Sequence, residues 1–278
     1  MDIGFVVDSA SNFTPEEIKE YDLGWVPLYI VYPDGRSIPD TPDHLLDLYD
    51  DIATGKLTTS QPSPDSIKTA ILEKLEQYPK VIFFTLSSAL SGAYHTAKMV
   101  ASEIGEDKIK VIDTRQMATG IDVHVLAVRN CLMSGECSFD KVEEFAKSLW
   151  GKVQIMFLLE SIEHLEKSGR ISKVKSIIGS VLRIMPIFYV DKEGYVNAAE
   201  KVRGNIKKGL RVLEKIFDSR KMRKDVQVRV IVGRPKHKEL MDFAHYLADK
   251  FNGVIRYVRP TTAVHTGIWG VGMSWVDE

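Results

Sequence analysis

Small hydroxyl side chains gather at several points of this 278-residue chain where an ordered run gives way to a loop. Thr59, Ser60 and Ser63 stand in TTSQPSP, and Ser87, Ser88 and Ser91 stand with Gly92 in SSALSGAYHT. Asp8-Ser9 and Asp113-Thr114 each close a short apolar run. Hydroxyls near a helix N-terminus can bind an anion, because the unpaired backbone N–H groups and the helix dipole already favour negative charge there. Gly92 would let a ligand come close to the backbone. Taken singly, such a hydroxyl is as well explained as a helix cap, Ser63 above all; convergence is what points to a binding site. A nucleophilic reading stands beside this one. Ser91, Asp113 and His265 occur in the Ser, Asp, His order of an α/β-hydrolase, but Leu90-Ser91-Gly92-Ala93 lacks the G-x-S-x-G elbow that exposes a catalytic serine.

The elements that must position these residues alternate in type. Apolar runs at 3–7, 26–32, 80–86 and 109–112 read as strands buried on both faces, as in a parallel sheet. Helices fall between them: 41–55 with Thr41 as cap and Pro42 in its first turn, then Ser63-Pro64 onward, 91–104 and 116–134. That alternation predicts an α/β domain over 1–150 with right-handed crossovers. Residues 151–278 read as a second, mixed α+β domain. Strands are expected at 154–159, 226–233, 254–258 and 270–276, and helices at 160–167, 172–183, 204–217 and 236–250. Asp191-Lys192-Glu193-Gly194, between two β-like runs, is a hairpin signal that brings in antiparallel pairing.

Composition removes several function classes. Lys and Arg number 37 against 38 Asp and Glu, so no phosphate-tracking surface and no nucleic-acid partner is expected. Cys131 and Cys137 fit neither a C-x-x-C redox motif nor a zinc quartet and read as two reduced thiols. The seven histidines have no paired metal spacing, there is no P-loop, and the glycines at 267, 270 and 272 follow no βα turn. MDIGFVVDS reads as a first strand and not a signal peptide, and no run reaches the ~18 apolar residues of a membrane span. A cytoplasmic protein that is not integral to a membrane is expected.

Taken in order, VVDSASNF, TSQPSP, SSALSGAYHTA, VIDT, IEHLEKSGRIS, MPIF, KVRG and VHTGIWGVG resemble the DegV family of bacterial lipid-binding proteins across nearly the whole chain. The resemblance implies two α/β domains with a long-chain fatty acid held between them and no other cofactor. It implies a carboxylate site at Ser60, Ser91, Gly92 and His265, with Thr59, Thr266 and Gly267 as neighbours. FakB-like members present the bound lipid to a separate fatty acid kinase subunit, and Arg170 of GRIS and Arg203 of KVRG match arginines that face this partner. Two departures stand out. Ser168-Gly169-Arg170-Ile171 replaces GGRI, and Ile268-Trp269 replaces a Pro-Gly pair after HTG, a change expected to reshape the pocket wall.

On this reading Ser91 donates a hydrogen bond and does no covalent chemistry. Burying a C16 tail at about 0.8 kcal/mol per methylene yields roughly 11 kcal/mol gross. Each charge-assisted contact to the head contributes only about 1.5–3 kcal/mol, so the tail sets affinity and the polar residues set orientation. Apolar residues of 176–188 are candidates for the tail wall as well as for core. Three functions stand: a fatty-acid-binding protein serving a kinase, a lipid carrier without a kinase partner, and a serine hydrolase.

Overall fold

The computed structural model describes residues 2–44, 46–170 and 184–278. The helix expected at 172–183, and with it most of the run at 176–188, lies outside the described residues. Strand β1 (Ile3–Asp8) is followed by helix α1 (Pro15–Glu20), which the sequence reading had not placed. A capping box starts α1: the Thr14 hydroxyl accepts from Glu17 N, and the Glu17 carboxylate accepts from Thr14 N. Strand β2 (Leu23–Val26) then pairs in parallel with β1.

The single strand expected at 26–32 is two strands in two sheets. Pro27 offers no N–H to continue the ladder, and the chain turns away after Val26. It enters an antiparallel hairpin of β3 (Tyr29–Val31) and β4 (Ser37–Pro39) through Pro33-Asp34-Gly35, with Gly35 at φ +88°. The helix expected over 41–55 is also broken. Pro42–His44 form one 3₁₀ turn, and only α2 (Tyr49–Ala53) is α-helical. The buried Arg259 guanidinium takes the carbonyls of Thr41 and Pro42, which would otherwise accept the first intrahelical bonds. Strand β5 (Thr58–Ser60) returns to pair with β3 and completes a three-stranded antiparallel sheet.

The regular α/β course resumes with α3 (Pro64–Leu75), β6 (Lys80–Thr85), α4 (Ala93–Ile104), β7 (Ile109–Asp113), α5 (Thr119–Ser134) and α6 (Val142–Ser148). The parallel sheet has the order β2-β1-β6-β7. Next come β8 (Val153–Leu159), α7 (Glu163–Ser168), β9 (Ile184–Val190), β10 (Val196–Arg203), α8 (Ile206–Asp218), β11 (Arg229–Val232), α9 (Lys238–Phe251), β12 (Val254–Tyr257), α10 (Pro260–Thr266) and β13 (Gly270–Val276). They build a mixed sheet ordered β10-β9-β8-β13-β11-β12, in which only β11 and β12 run parallel. The β9–β10 hairpin turns at Asp191–Gly194 as expected: the Asp191 carboxylate accepts from Glu193 N and Tyr195 N, and Gly194 takes φ +90°.

The layers follow from which faces are apolar. α3 and α4 cover one face of the parallel sheet through Ile67, Ile71, Ala97 and Val100. α8 and α9 cover the outer face of the mixed sheet through Leu210, Leu213, Phe217, Leu240 and Leu247. Between the two sheets lies α5, which packs on β6 from one side and on β8, β11 and β13 from the other. Residues 119–128 of α5 are accordingly buried on every face. Where α5 ends its reach, the gap between the sheets opens into cavities. No helix among the described residues is long and apolar enough to cross a membrane.

Candidate functional site

A cavity of about 210 Å³ opens beyond the carboxyl ends of the parallel strands. Ala10 after β1, Leu86, Leu90 and Ser91 after β6, and Met117 after β7 form its floor. Two elements the sequence reading had not recognised close it, β5 with Thr59 and Ser60, and α10 with Thr262 and His265. Pairing of Ile30 with Thr59 and of Tyr29 with Ser60 fixes the height of β5 over the floor. His265 sits in the last turn of α10, a helix the sequence reading had not placed although Pro260 at its first position signals its start.

α10 is pinned at its N-terminus by a buried ion pair. Arg259 donates to the Asp40 carboxylate, which also accepts from Thr261 N at 3.0 Å and from the Thr261 hydroxyl. Both charged side chains are almost wholly buried, so the pair stands only because every oxygen and most N–H groups are partnered. The Arg259 guanidinium also lies 5.1 Å from the Trp25 ring centroid.

At the other end of α10, His265 Nε2 lies 2.7 Å from Thr59 Oγ1. Its Nδ1 is buried with no hydrogen-bond partner among the described residues. Burial, with Arg170 and His164 as nearby positive groups, lowers the imidazole pKa to about 4. His265 is therefore neutral at pH 7, and the imidazole–hydroxyl pair offers a donor whichever tautomer it adopts.

Ser91 accepts from Ala93 N at 3.2 Å, which leaves its own proton free. Gly92, the residue before α4, has φ −75°, so its backbone does not require glycine. Packing bears on it more: a Cβ there would meet Gln61 Oε1, the end of an exposed side chain that would have to shift to admit it. Gln61 also lines the cavity and donates to Thr96 Oγ1 at 2.9 Å. It was present in TTSQPSP but passed over, because a lone glutamine neither caps a helix nor carries charge.

The other hydroxyls have structural partners. Ser63 caps α3, Ser87 donates to Gly194 O at 2.9 Å, and Ser9 accepts from Leu28 N at 2.9 Å. Ser88 donates to Asp113 Oδ2 at 2.5 Å. Asp8 accepts from Ala10 N and Leu86 N across the strand ends, and burial pushes its pKa up to about 7. These contacts do not assemble the Ser91, Asp113, His265 triad. Asp113 lines a separate cavity with Ser88 and Arg115, and the hydrogen bond of His265 goes to Thr59.

Thr266 lines the cavity, but its single proton is directed to the carbonyls of Thr262 or Gly267. Gly267, at φ +79°, ends α10 and lines a second cavity instead. That second space, about 30 Å³, is apolar. Ile155, Phe157, Leu159 and Ile231 of the mixed sheet surround it, and it shares Met117, Thr262 and Thr266 with the first cavity. Ile268 and Trp269 line neither cavity, contrary to the expectation that they reshape the pocket. The Ile268 carbonyl accepts from Arg234 N at 2.8 Å, its side chain enters the core, and Trp269 packs edge-on against His237.

Arg170, exposed after the αL residue Gly169, lines the cavity. Arg203 is not brought there. Val196, at the start of β10, lines the cavity, whereas Arg203 ends that strand seven residues later, about 23 Å away at the usual rise. It is also a strand terminus and not a helix start; α8 begins after the Asn205 cap. Among the described residues, no group of three His, Cys, Asp or Glu side chains is placed to hold a metal ion.

Comparison with known proteins agrees with this architecture. The family model described as "Uncharacterised protein, DegV family" matches residues 2–278. A Thermotoga maritima protein named "Fatty acid-binding protein" is 29% identical over 294 residues, covering 100% of this chain and 99% of its own. A solved structure of a DegV family protein from Thermus thermophilus, titled for its fatty acid binding, has a TM-score of 0.84 at 25% identity and covers 100% of both chains. A stearic acid-binding protein from Eubacterium ventriosum has a TM-score of 0.83 at 25% identity, over 99% of this chain and 98% of its own.

Proposed function

This chain belongs to the DegV family, and from that premise we propose that it binds a long-chain fatty acid between its two sheets. The observation that carries the reading is a pair of adjoining cavities of different character. A polar cavity with Thr59, Ser60, Ser91 and His265 shares Met117 and Thr262 with an apolar cavity under the mixed sheet. A carboxylate takes donors from the Ser91 hydroxyl, the Thr59–His265 pair and the region of Gly92, while the tail passes Met117 toward Ile155 and Phe157. Thr266 and Gly267 shape the turn between the two cavities. The names of the Thermotoga, Thermus and Eubacterium relatives support the choice of ligand. In this reading residues 1–150 and 151–278 are the two halves that enclose it.

Native mass spectrometry of freshly purified protein, followed by organic extraction, tests the proposal. Copurified or added oleate or palmitate is expected at one per chain; protein that arrives empty and takes up neither lipid overturns it.

We further propose that the carboxylate is presented at the mouth to a kinase subunit. Arg170, exposed at that mouth, supports this; its guanidinium suits an acidic side chain or a nucleotide phosphate. Arg203 lies too far along β10 to act on the carboxylate and serves only a wider docking surface. Arg170→Glu is expected to retain lipid and abolish acyl-phosphate formation by the host's kinase subunit. Unchanged acyl-phosphate formation by Arg170→Glu removes Arg170 from the docking surface, whereas no acyl-phosphate from the wild-type protein favours a carrier without a kinase partner.

A further inference from the structure

A fourth cavity, of about 140 Å³, adjoins the head-group end of the first and shares Arg170 and His265 with it. Its character is different. Lys56 from the loop before β5 and Lys167 from the last turn of α7 stand around it with Arg170, and His164 completes the ring. Among the described residues no carboxylate lines this space: Glu163 and Glu166, on the same helix as Lys167, do not reach it. Among the described residues, neither Lys56, Lys167 nor Arg170 has a carboxylate within salt-bridge distance, although ion pairs are frequent elsewhere on the surface.

We propose that this basic cavity is a phosphate-binding site, separate from the carboxylate site and in contact with it through Arg170 and His265. Three permanent cations converge with two imidazoles on a space far larger than the ~10–15 Å³ that one water requires. A compact dianion with oxygens in all directions matches that set better than a planar monoanion. Arg170 can give it two parallel N–H bonds, while Lys56 and Lys167 act as point charges. His164 has a fixed orientation. Its Nδ1 lies 3.2 Å from the Val264 carbonyl and must carry the proton there, so Nε2 is free to accept from the hydroxyl of a hydrogen phosphate. Complementing the C-terminal dipole of α7 explains Lys167 alone and leaves Lys56 and His164 without a purpose. Inorganic phosphate and the phosphomonoester head of a lipid share the required chemistry.

Titration calorimetry on delipidated protein, with sodium phosphate against sodium chloride at matched ionic strength, tests the site. The variant Lys56→Ala/Lys167→Ala removes two exposed side chains, and thermal melting checks that it folds. Phosphate is expected to bind wild type at millimolar concentration or below, with at least about tenfold loss in the double variant, while binding of labelled oleate stays within about threefold. Absence of binding at about 10 mM phosphate, or equal binding by the variant, overturns the proposal. Phosphate affinity that is the same with and without saturating oleate assigns the site to free phosphate. Dodecyl phosphate that binds at least about tenfold more tightly than dodecanoate, with the gain lost in the variant, assigns it to a lipid head group. The oleate measurement stands alone: its failure removes the fatty-acid reading and leaves the phosphate result untouched.

Discussion

Thr59 Oγ1 and His265 Nε2 lie 2.7 Å apart although 206 residues separate them in the chain. The bond joins the short strand β5 to the last turn of α10 and places a neutral imidazole next to the free proton of Ser91 within one cavity. Apart from Arg170 at the mouth, an anion entering there meets donors that carry no charge of their own.

The pH dependence of His265 follows from that arrangement. In the free protein its pKa is about 4, below the ordinary 6.5, because burial and the nearby Arg170 and His164 oppose a charge. The unfolded chain therefore takes up a proton more readily between pH 4 and 6.5, so His265 withdraws stability as pH falls through that window. A bound carboxylate favours the imidazolium and raises the pKa, and by linkage lipid affinity should increase as pH falls toward the new value. NMR titration of the His265 ring is expected to show a midpoint near 4 without ligand and a higher one with oleate. A midpoint at 6.5 in the free protein, or one that oleate does not move, contradicts the assignment.

Ser91→Ala and His265→Ala remove donors to the carboxylate. Each should weaken fatty-acid binding by about tenfold to a hundredfold, the size of one charge-assisted contact. Displacement of a fluorescent fatty acid measures this. Loss of an esterase activity in Ser91→Ala would instead restore the nucleophile reading.

Gly92→Ala should act through Gln61. The new methyl would meet Gln61 Oε1, so the exposed Gln61 side chain must shift from its place beside Thr96 at the cavity wall. Fatty-acid affinity is expected to fall by about threefold to tenfold with little change in melting, since φ −75° suits alanine. The double variant Gly92→Ala/Gln61→Ala should recover most of that loss. If it does not, Gly92 is needed for close backbone approach to the ligand and not for the Gln61 side chain.

Asp40→Ala leaves the buried Arg259 without its carboxylate and unties the N-terminus of α10. Urea denaturation should show a loss of about 3–5 kcal/mol. Because α10 carries His265, fatty-acid affinity should fall as well, although Asp40 does not line the cavity. A destabilised variant with wild-type affinity would show that α10 is held by its packing alone.

The sequence by itself determined the repeating α/β course, the strands expected at 3–7, 80–86 and 109–112 to within a residue, and the β9–β10 hairpin, because each rests on local chemistry: apolar runs, Pro-started helices, and an Asp-to-Gly turn. It also carried the hydroxyl-rich motifs and, through family resemblance, the identity of Ser60, Ser91 and His265 as neighbours. A hairpin signal in Tyr32-Pro33-Asp34-Gly35-Arg36 was there to be read and was missed. Other features were decided only by tertiary structure. Whether 41–55 is one helix depended on Arg259, more than 200 residues away, taking the carbonyls of Thr41 and Pro42. Whether Ser63, Ser87 and Ser88 were ligands or partners of the backbone and Asp113 depended on what stood opposite each one. Arg170 and Arg203 look alike in sequence, yet only Arg170 lines the cavity, while the length of β10 separates Arg203 from Val196 there, because position along a strand becomes distance only when that strand is fixed in a sheet.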